Sequence, residues 1–239
     1  MTTIAPHTIL VALESGKTRT FASALEWPGW TRSGRDESTA LEALLASGLR
    51  YQRAVGSDQL GFQAPTTVDA FRITERLAGD ATTDFGAPNR AALAEAAPVD
   101  AAELARFQRI LHACWQELGG AVTSASGKHL RKGPRAGGRG TEQLLDHVLE
   151  SHYSYLRRIA WREREPQEQG QDMALRLTAI THATEQALAF ALSDQMPTAG
   201  PRGGTFWTPR YFVRRSAWHI LDHTWEIEDK LELRPAPKL

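Results

Sequence analysis

The second half of this chain contains four segments in which apolar residues recur every three or four positions over helical lengths. They run from Leu104 to Val122, from Thr141 to about Arg164, from Gln171 to about Ser193, and from Pro209 to Leu231. This spacing places the apolar side chains on one face of each helix, and that face must be buried against other elements. Four such helices joined by loops predict an all-α up-and-down four-helix bundle.

The first part of the chain has a different pattern, with short apolar runs separated by turn residues. Alternation and turn composition predict strands, the first two paired as a hairpin, and Asp36 is a good helix N-cap. The predicted elements are strands Thr8–Leu13 and Thr18–Leu25, an extended piece Thr31–Arg35, a helix Ser38–Val55 and a strand Val68–Leu77. The order is therefore β-β-β-α-β.

These patterns predict an α+β fold with two domains. A small α/β module occupies residues 1–78, and the helical bundle occupies residues 101–234. The stretch between them, residues 79–100, is rich in Gly, Ala, Asp and Pro with little periodicity, which is typical of a linker.

Composition excludes several classes of protein. Lys and Arg together number 28, as do Asp and Glu together, so the formal net charge is +0. This balance argues against a general nucleic-acid binder whose affinity comes from overall positive charge. No apolar run is long enough to span a membrane, and no membrane partner is expected. The single cysteine, Cys114, lies in an apolar helical pattern and is interpreted as a buried small hydrophobe. Without a disulfide framework or a signal peptide, a cytoplasmic location is expected.

The last helical segment contains Trp-His219-Ile-Leu-Asp-His223-Thr-Trp-Glu226. Histidines four residues apart lie on one face of a helix, one turn apart, and can share a metal ion. Arg215 and Glu226 fall on the same stripe. A third histidine would complete a catalytic type of site with an open coordination position. The candidates for the third ligand are His112, His147, His152 and His182. Because His147 and His152 are five residues apart, they cannot both face one site.

The neighbouring polar residues suggest roles at such a site. Arg215 is a candidate to hold a substrate carboxylate by a bidentate contact. Glu226 is a candidate general base or fourth ligand, and Asp222 could orient a histidine. The stretch from Lys128 to Arg139 carries five basic residues and could attract an anionic substrate, although its ordinary interpretation is a solvated loop.

The helical part resembles the DinB-like (damage-inducible) superfamily, through Leu-Leu-Asp-His147-Val-Leu-Glu and the later Trp-His219-Ile-Leu-Asp-His223-Thr-Trp-Glu226. In that family a histidine of the second helix and an H-x-x-x-H pair of the fourth bind a divalent metal. The resemblance therefore implies His147, His219 and His223 as ligands. It also implies zinc, with nickel as a second candidate, and a low-molecular-weight thiol such as bacillithiol or mycothiol as cosubstrate.

The N-terminal part resembles the HicB-type antitoxin fold. In those proteins an E-x-P-G-x-x-x-x-G-x-[ST] run precedes the helix, and this chain has Glu26-Trp-Pro-Gly-Trp-Thr-Arg-Ser-Gly34, then Ala40-Leu-Glu-Ala-Leu44. No DNA-binding element follows, so the expected role is that of an accessory or dimerisation module, with a homodimer as one arrangement.

The resulting hypothesis is a metal-dependent enzyme that activates a thiol or water for transfer to, or hydrolysis of, a small electrophilic substrate. In it Glu226 assists proton transfer and Arg215 positions an anionic group. The second hypothesis is a non-enzymatic binding protein of stress response or toxin–antitoxin systems, with a structural metal. RNA binding through the basic loop is a third, weaker one.

Overall fold

The computed structural model describes residues 8–56, 60–131, 140–163, 172–200 and 203–231. The fold is α+β, with a four-stranded mixed sheet followed by helices. The strands are β1 (Ile9–Ser15), β2 (Thr20–Ala24), β3 (Thr31–Gly34) and β4 (Phe71–Ala78). The helices are α1 (Glu37–Ala46), α2 (Gly48–Val55), α3 (Ala81–Phe85), α4 (Ala101–Ala125), α5 (Thr141–Leu156), α6 (Met173–Ala191) and α7 (Pro209–Lys230).

The sheet has the order β3-β2-β1-β4. Strands β1 and β2 pair antiparallel, which confirms the predicted hairpin, and β3 extends this meander at one edge. Strand β4 returns parallel to β1 after the helices, with a register shift between Val11 and Ala12. The predicted order of strands and helix is therefore observed, although a short 3-10 turn, Val68–Ala70, precedes β4 where a longer strand was expected.

The helix predicted over Ser38–Val55 is two helices, because the chain breaks at Ser47. The first of them, α1, begins as expected, since the Asp36 carboxylate accepts a hydrogen bond from the N–H of Thr39 at 2.8 Å. At the break, the Leu44 carbonyl accepts the Ser47 hydroxyl at 2.8 Å and the Trp30 indole N–H at 3.0 Å. Such side-chain bonds to a backbone carbonyl compete with continuation of the helix.

The four long helices pack on one another. Helix α4 contacts α5, α6 and α7, and α5 also contacts α6 and α7. Helix α5 ends at Leu156 and not near Arg164 as predicted, because a 3-10 turn, Arg157–Ile159, leads to Ala160 in the left-handed region at φ 63°. Arg164 and Gln171, the predicted ends of two helices, lie outside the described residues.

Helix α7 joins the two parts of the chain. Phe21 on β2 meets Trp218 edge-on at a ring distance of 6.0 Å, and Arg32 on β3 binds Asp222 at 3.0 Å. Gly29, at φ 95°, lies so close to α7 that a Cβ there would be 2.9 Å from the Cβ of Ala217. Buried side chains of the sheet, of α1 and α2, and of all four long helices form one hydrophobic cluster.

The stretch predicted as a linker, residues 79–100, is folded against both parts. It contains α3 and a 3-10 turn, Leu93–Ala96. The buried Glu14 of β1 accepts the backbone N–H groups of Asn89 and Arg90 at 2.9 Å. The connection is therefore built into the sheet and does not act as a free tether.

The surroundings of the single cysteine and the character of the helices bear on two predictions made from composition. Cys114 is fully buried, and burial raises the pKa of its thiol, as expected for a packed hydrophobe and not a reactive nucleophile. None of the described helices has the combination of length and apolar character that a membrane crossing requires.

Candidate metal centre

Three histidines meet between α5 and α7. His219 and His223 are one turn apart on α7, and His147 faces them from the second turn of α5. One ligand atom from each lies within 4.8 Å of the corresponding atoms of the other two. The ring centroids are 4.7 Å apart for His219 and His223, and 5.2 Å and 5.0 Å from His147 to these two rings. Among the described residues, the tertiary structure thus brings together the three histidines that the DinB-like resemblance implies as ligands.

The donor set fits a divalent metal. Nitrogen ligands bind zinc at about 2.0–2.1 Å, which puts two ligands of a tetrahedral site about 3.4 Å apart. Small side-chain rotations would bring nitrogens that now lie within 4.8 Å of one another to that spacing. Three imidazoles form a neutral set that suits zinc or nickel better than magnesium or calcium, which prefer oxygen ligands.

Glu226 fixes the orientation of His223. Its Oε2 lies 2.7 Å from His223 Nδ1, and its Oε1 accepts a hydrogen bond from Lys230. The bond to His223 and then that to Lys230 lower the pKa of the carboxyl group to about 2, against the opposing effect of burial. The ionised carboxylate holds the proton of His223 on Nδ1, so Nε2 carries the lone pair that a metal needs.

His219 is the most enclosed of the three, with 7% of its surface exposed. Burial lowers its pKa well below the usual value, and the neighbouring His223, Arg215 and His147 act in the same direction. The ring is therefore neutral at physiological pH, which is the protonation state of a metal ligand.

No family model, curated protein or solved structure matches this chain. The resemblances to the DinB-like and HicB-like families therefore depend on the residues and motifs quoted above.

The other candidate histidines lie away from this centre. His112 and His182 are on exposed helix surfaces. His152 is buried, and its Nε2 lies 2.8 Å from Thr184 Oγ1.

Asp222, a candidate to orient a histidine, instead pairs with Arg32 of β3. Residues 132–139 of the basic loop lie outside the described residues.

Arg215 lies one turn before His219 on the same face of α7. Only 8% of its surface is exposed. Its guanidinium lies over the rings of Trp218 and Tyr155, 4.5 Å and 5.1 Å from their centroids. The Tyr155 ring is in turn 5.7 Å from that of His219. The structure therefore places Arg215 beside the histidine trio, as the sequence predicts, but inside an aromatic enclosure.

Sequence reasoning did not single out two tyrosines near Arg215, Tyr155 and Tyr211. Tyr155 lies eight residues after His147, a spacing that returns to the same face of α5. Tyr211 lies four residues before Arg215, and so continues the stripe of α7 toward its N-terminus. Helical spacing from the candidate ligands is the signal that could have identified both.

Proposed function

We propose that this protein is a metal-dependent enzyme whose divalent ion, zinc or else nickel, is held by His147, His219 and His223. The observation that supports this is the convergence of three imidazoles, with ligand atoms within 4.8 Å, from two helices that are distant in sequence. A metal with three histidine ligands keeps a fourth position free and can lower the pKa of a water or thiol there, which makes it a nucleophile near neutral pH.

The residues around the trio have separate tasks in this proposal. His147, His219 and His223 bind the ion, and Glu226 keeps the proton of His223 on Nδ1. Because both oxygens of Glu226 already have partners, an orienting role is favoured over the proton-transfer role suggested by the sequence. Arg215 would position an anionic group of the substrate. The substrate is a small electrophile, and transfer of a low-molecular-weight thiol or hydrolysis by water are the reaction classes.

The same proposal covers the fold family. Contacts of α4 with the three other long helices, and of α5 with α6 and α7, support an up-and-down four-helix bundle of the DinB-like type. The four-stranded sheet with its Trp27-Pro28-Gly29-Trp30 loop supports a HicB-like accessory module. Within the described residues this module braces α7 through Arg32 and Gly29, which gives it a structural role at the site.

The metal is tested by elemental analysis after zinc loading and dialysis. We expect about one zinc per chain in the wild type, and loss of most of it in His147→Ala and in His223→Ala, because two ligands hold the ion far more weakly than three. His182→Ala, an exposed histidine on α6, is the control and should keep its zinc. Full retention by either ligand variant would exclude this trio.

Glu226→Gln should weaken zinc binding about 10- to 100-fold without abolishing it, because the amide no longer holds the His223 proton as firmly. A competition titration with a chromophoric chelator measures the affinity. Glu228→Gln makes the same chemical change one turn away from the trio, where the carboxylate binds Arg50, and should leave zinc affinity unchanged. Equal losses in both variants would contradict the orienting role.

A non-enzymatic protein with a structural metal is the second candidate function. A structural ion is enclosed by four protein ligands, whereas the described residues supply three histidines here. Cobalt substitution separates the two: the visible spectrum should change when a small thiol is added if the fourth position is open, and should stay constant if it is closed.

A further inference from the structure

Four polar side chains follow one another along α7 at intervals of four residues. They are Tyr211, Arg215, His219 and His223. Successive members are displaced by about 6 Å along the helix axis and rotated by about 40°, so the four form one continuous stripe. In the proposed function the two histidines bind the metal and Arg215 positions an anionic group of the substrate. Tyr211, at the N-terminal end of the stripe, has no role in it.

Arg215 differs from the other arginines of α7 in having no acidic side chain in ion-pair contact among the described residues. Arg210 pairs with Glu103, and Arg214 pairs with Glu95. In the part of the chain that the structure describes, Arg215 Nη1 is buried and makes no hydrogen bond. Burial lowers the pKa of Arg215, yet a guanidinium stays charged in proteins. Among the described residues this charge is therefore enclosed without an ion pair, and Glu14 acts on it only from a longer distance.

The hydroxyl of Tyr211 is in the same condition. It is buried and has no hydrogen-bond partner among the described residues. Burial raises the pKa of Tyr211, against the opposing effect of Arg214 and Arg215, so the group is a protonated donor at neutral pH. Five buried side-chain polar atoms of the described residues lack a hydrogen-bond partner, and those of Tyr211 and Arg215 are the two that lie on the stripe of the histidines. Because native proteins rarely leave buried donors unpaired, this pair is a candidate to bind a ligand.

Aromatic rings enclose this pair. The Trp207 ring lies 4.9 Å from that of Tyr211 and 5.3 Å from that of Tyr155. Arg215 lies over Tyr155 on one side and Trp218 on the other. Rings of this kind hold a guanidinium in a fixed plane while leaving its N–H edge free to donate.

We propose that Tyr211 and Arg215 bind the anionic group of a small-molecule ligand whose other end reaches the histidine trio about one helical turn away. The ligand is an oxyanion, and a carboxylate fits best, because a single arginine without an ion pair among the described residues, inside an aromatic enclosure, matches one planar, singly charged group. A phosphate dianion would bring more negative charge than this site compensates. The inference deepens the proposed function by naming the ligand class, and rests on it only for the end that meets the metal.

The test uses metal-free full-length protein, so that a failure of the metal proposal leaves the readout intact. Binding of benzoate, the neutral analogue benzamide and inorganic phosphate is followed by tryptophan fluorescence and calorimetry at constant ionic strength. We expect benzoate to bind at least about 10-fold more tightly than benzamide, because loss of a charge-assisted hydrogen bond has an effect of that size. If phosphate binds more tightly than benzoate, the site still binds an anion, but the carboxylate assignment is wrong and the ligand is a phosphoryl compound.

Two variants assign the binding to the stripe. Arg215→Met should lower the affinity for benzoate at least about 10-fold. Tyr211→Phe, which removes only the hydroxyl, should lower it about 2- to 10-fold. The proposal would be overturned if benzoate and benzamide bind equally well, if neither binds, or if both variants bind benzoate like the wild type.

A stability measurement separates a ligand site from a structural arginine. Arg215→Met removes a buried charge that makes no ion pair among the described residues, so the midpoint of thermal unfolding of the ligand-free protein should rise or stay constant. Arg214→Met, the matched control on the next residue, should lower the midpoint, because it leaves Glu95 buried without its partner. If Arg215→Met were destabilised as strongly as Arg214→Met, Arg215 would be a structural residue and the proposal would fail.

Discussion

Arg214→Met is expected to lower the free energy of unfolding by about 3–5 kcal/mol, because it breaks a buried ion pair from one side. Arg214 contacts Glu95 through Nε at 2.5 Å and Nη2 at 2.9 Å, and both side chains are about 5% exposed or less. Its Nη2 also donates to the Arg90 carbonyl at 2.7 Å. The substitution would therefore leave a carboxylate and a carbonyl buried without these donors, where α7 meets residues 79–100.

Equilibrium unfolding in urea measures this loss. The double variant Arg214→Met, Glu95→Leu should recover a large part of the stability, because replacing both partners removes the unpaired charge. Arg76→Met serves as a control, since Arg76 binds Glu37 on the exposed surface and its loss should not shift the midpoint measurably. An unchanged midpoint in Arg214→Met would show that the residues 79–100 are not held by this pair.

Acidification should destabilise the protein through His152, by about 2 kcal/mol between pH 7 and pH 5 from this residue alone. The Thr184 hydroxyl donates to the Ile180 carbonyl at 2.6 Å, so it accepts from His152, whose proton must lie on Nε2. Burial lowers the pKa of His152 to about 3, whereas the unfolded chain titrates near 6.5. As pH falls from 6.5 toward 3, only the unfolded state gains the proton, and unfolding is favoured.

His152→Gln isolates this effect, since the amide can still donate to Thr184 but does not titrate. The variant should lose less stability than the wild type between pH 7 and pH 5, as measured by urea unfolding at each pH. His112→Gln, which changes an exposed histidine on α4, should keep the wild-type pH dependence. Parallel pH profiles for wild type and His152→Gln would contradict the assignment.

The element types were predictable because they depend on local patterns. The apolar run of β1, the partial alternation of β2 and the Asp36 cap are visible in neighbouring residues, and the hairpin and the start of α1 lie where expected. One error falls where a distant contact acts, because the break at Ser47 involves Trp30, which packs from the preceding loop. The other is local, since α5 ends before a left-handed residue, Ala160, that no composition signal marks.

The candidate site shows the same division. The relation between His219, His223 and Arg215 follows from helical spacing alone. The choice of His147 over three other histidines needed the family resemblance, and the fold agrees with it by placing His147 within reach and His152 against Thr184. The partners of Glu226 on its own helix were accessible from i, i+3 and i, i+4 spacing.

By itself, the sequence determined which residues share a helix face, because a helix of known period converts spacing into geometry. It therefore defined the stripe on α7 and the residue types able to hold a metal. Only the tertiary structure decided which side chains from other elements meet that helix: His147 across from His219, Tyr155 against Arg215, and Glu95 on the neighbouring Arg214. Among the described residues it places no acidic side chain in ion-pair contact with Arg215. These contacts join residues far apart in the chain. How deeply each side chain is buried, and which opposite charge it meets, therefore depends on the packing of whole elements and not on local spacing.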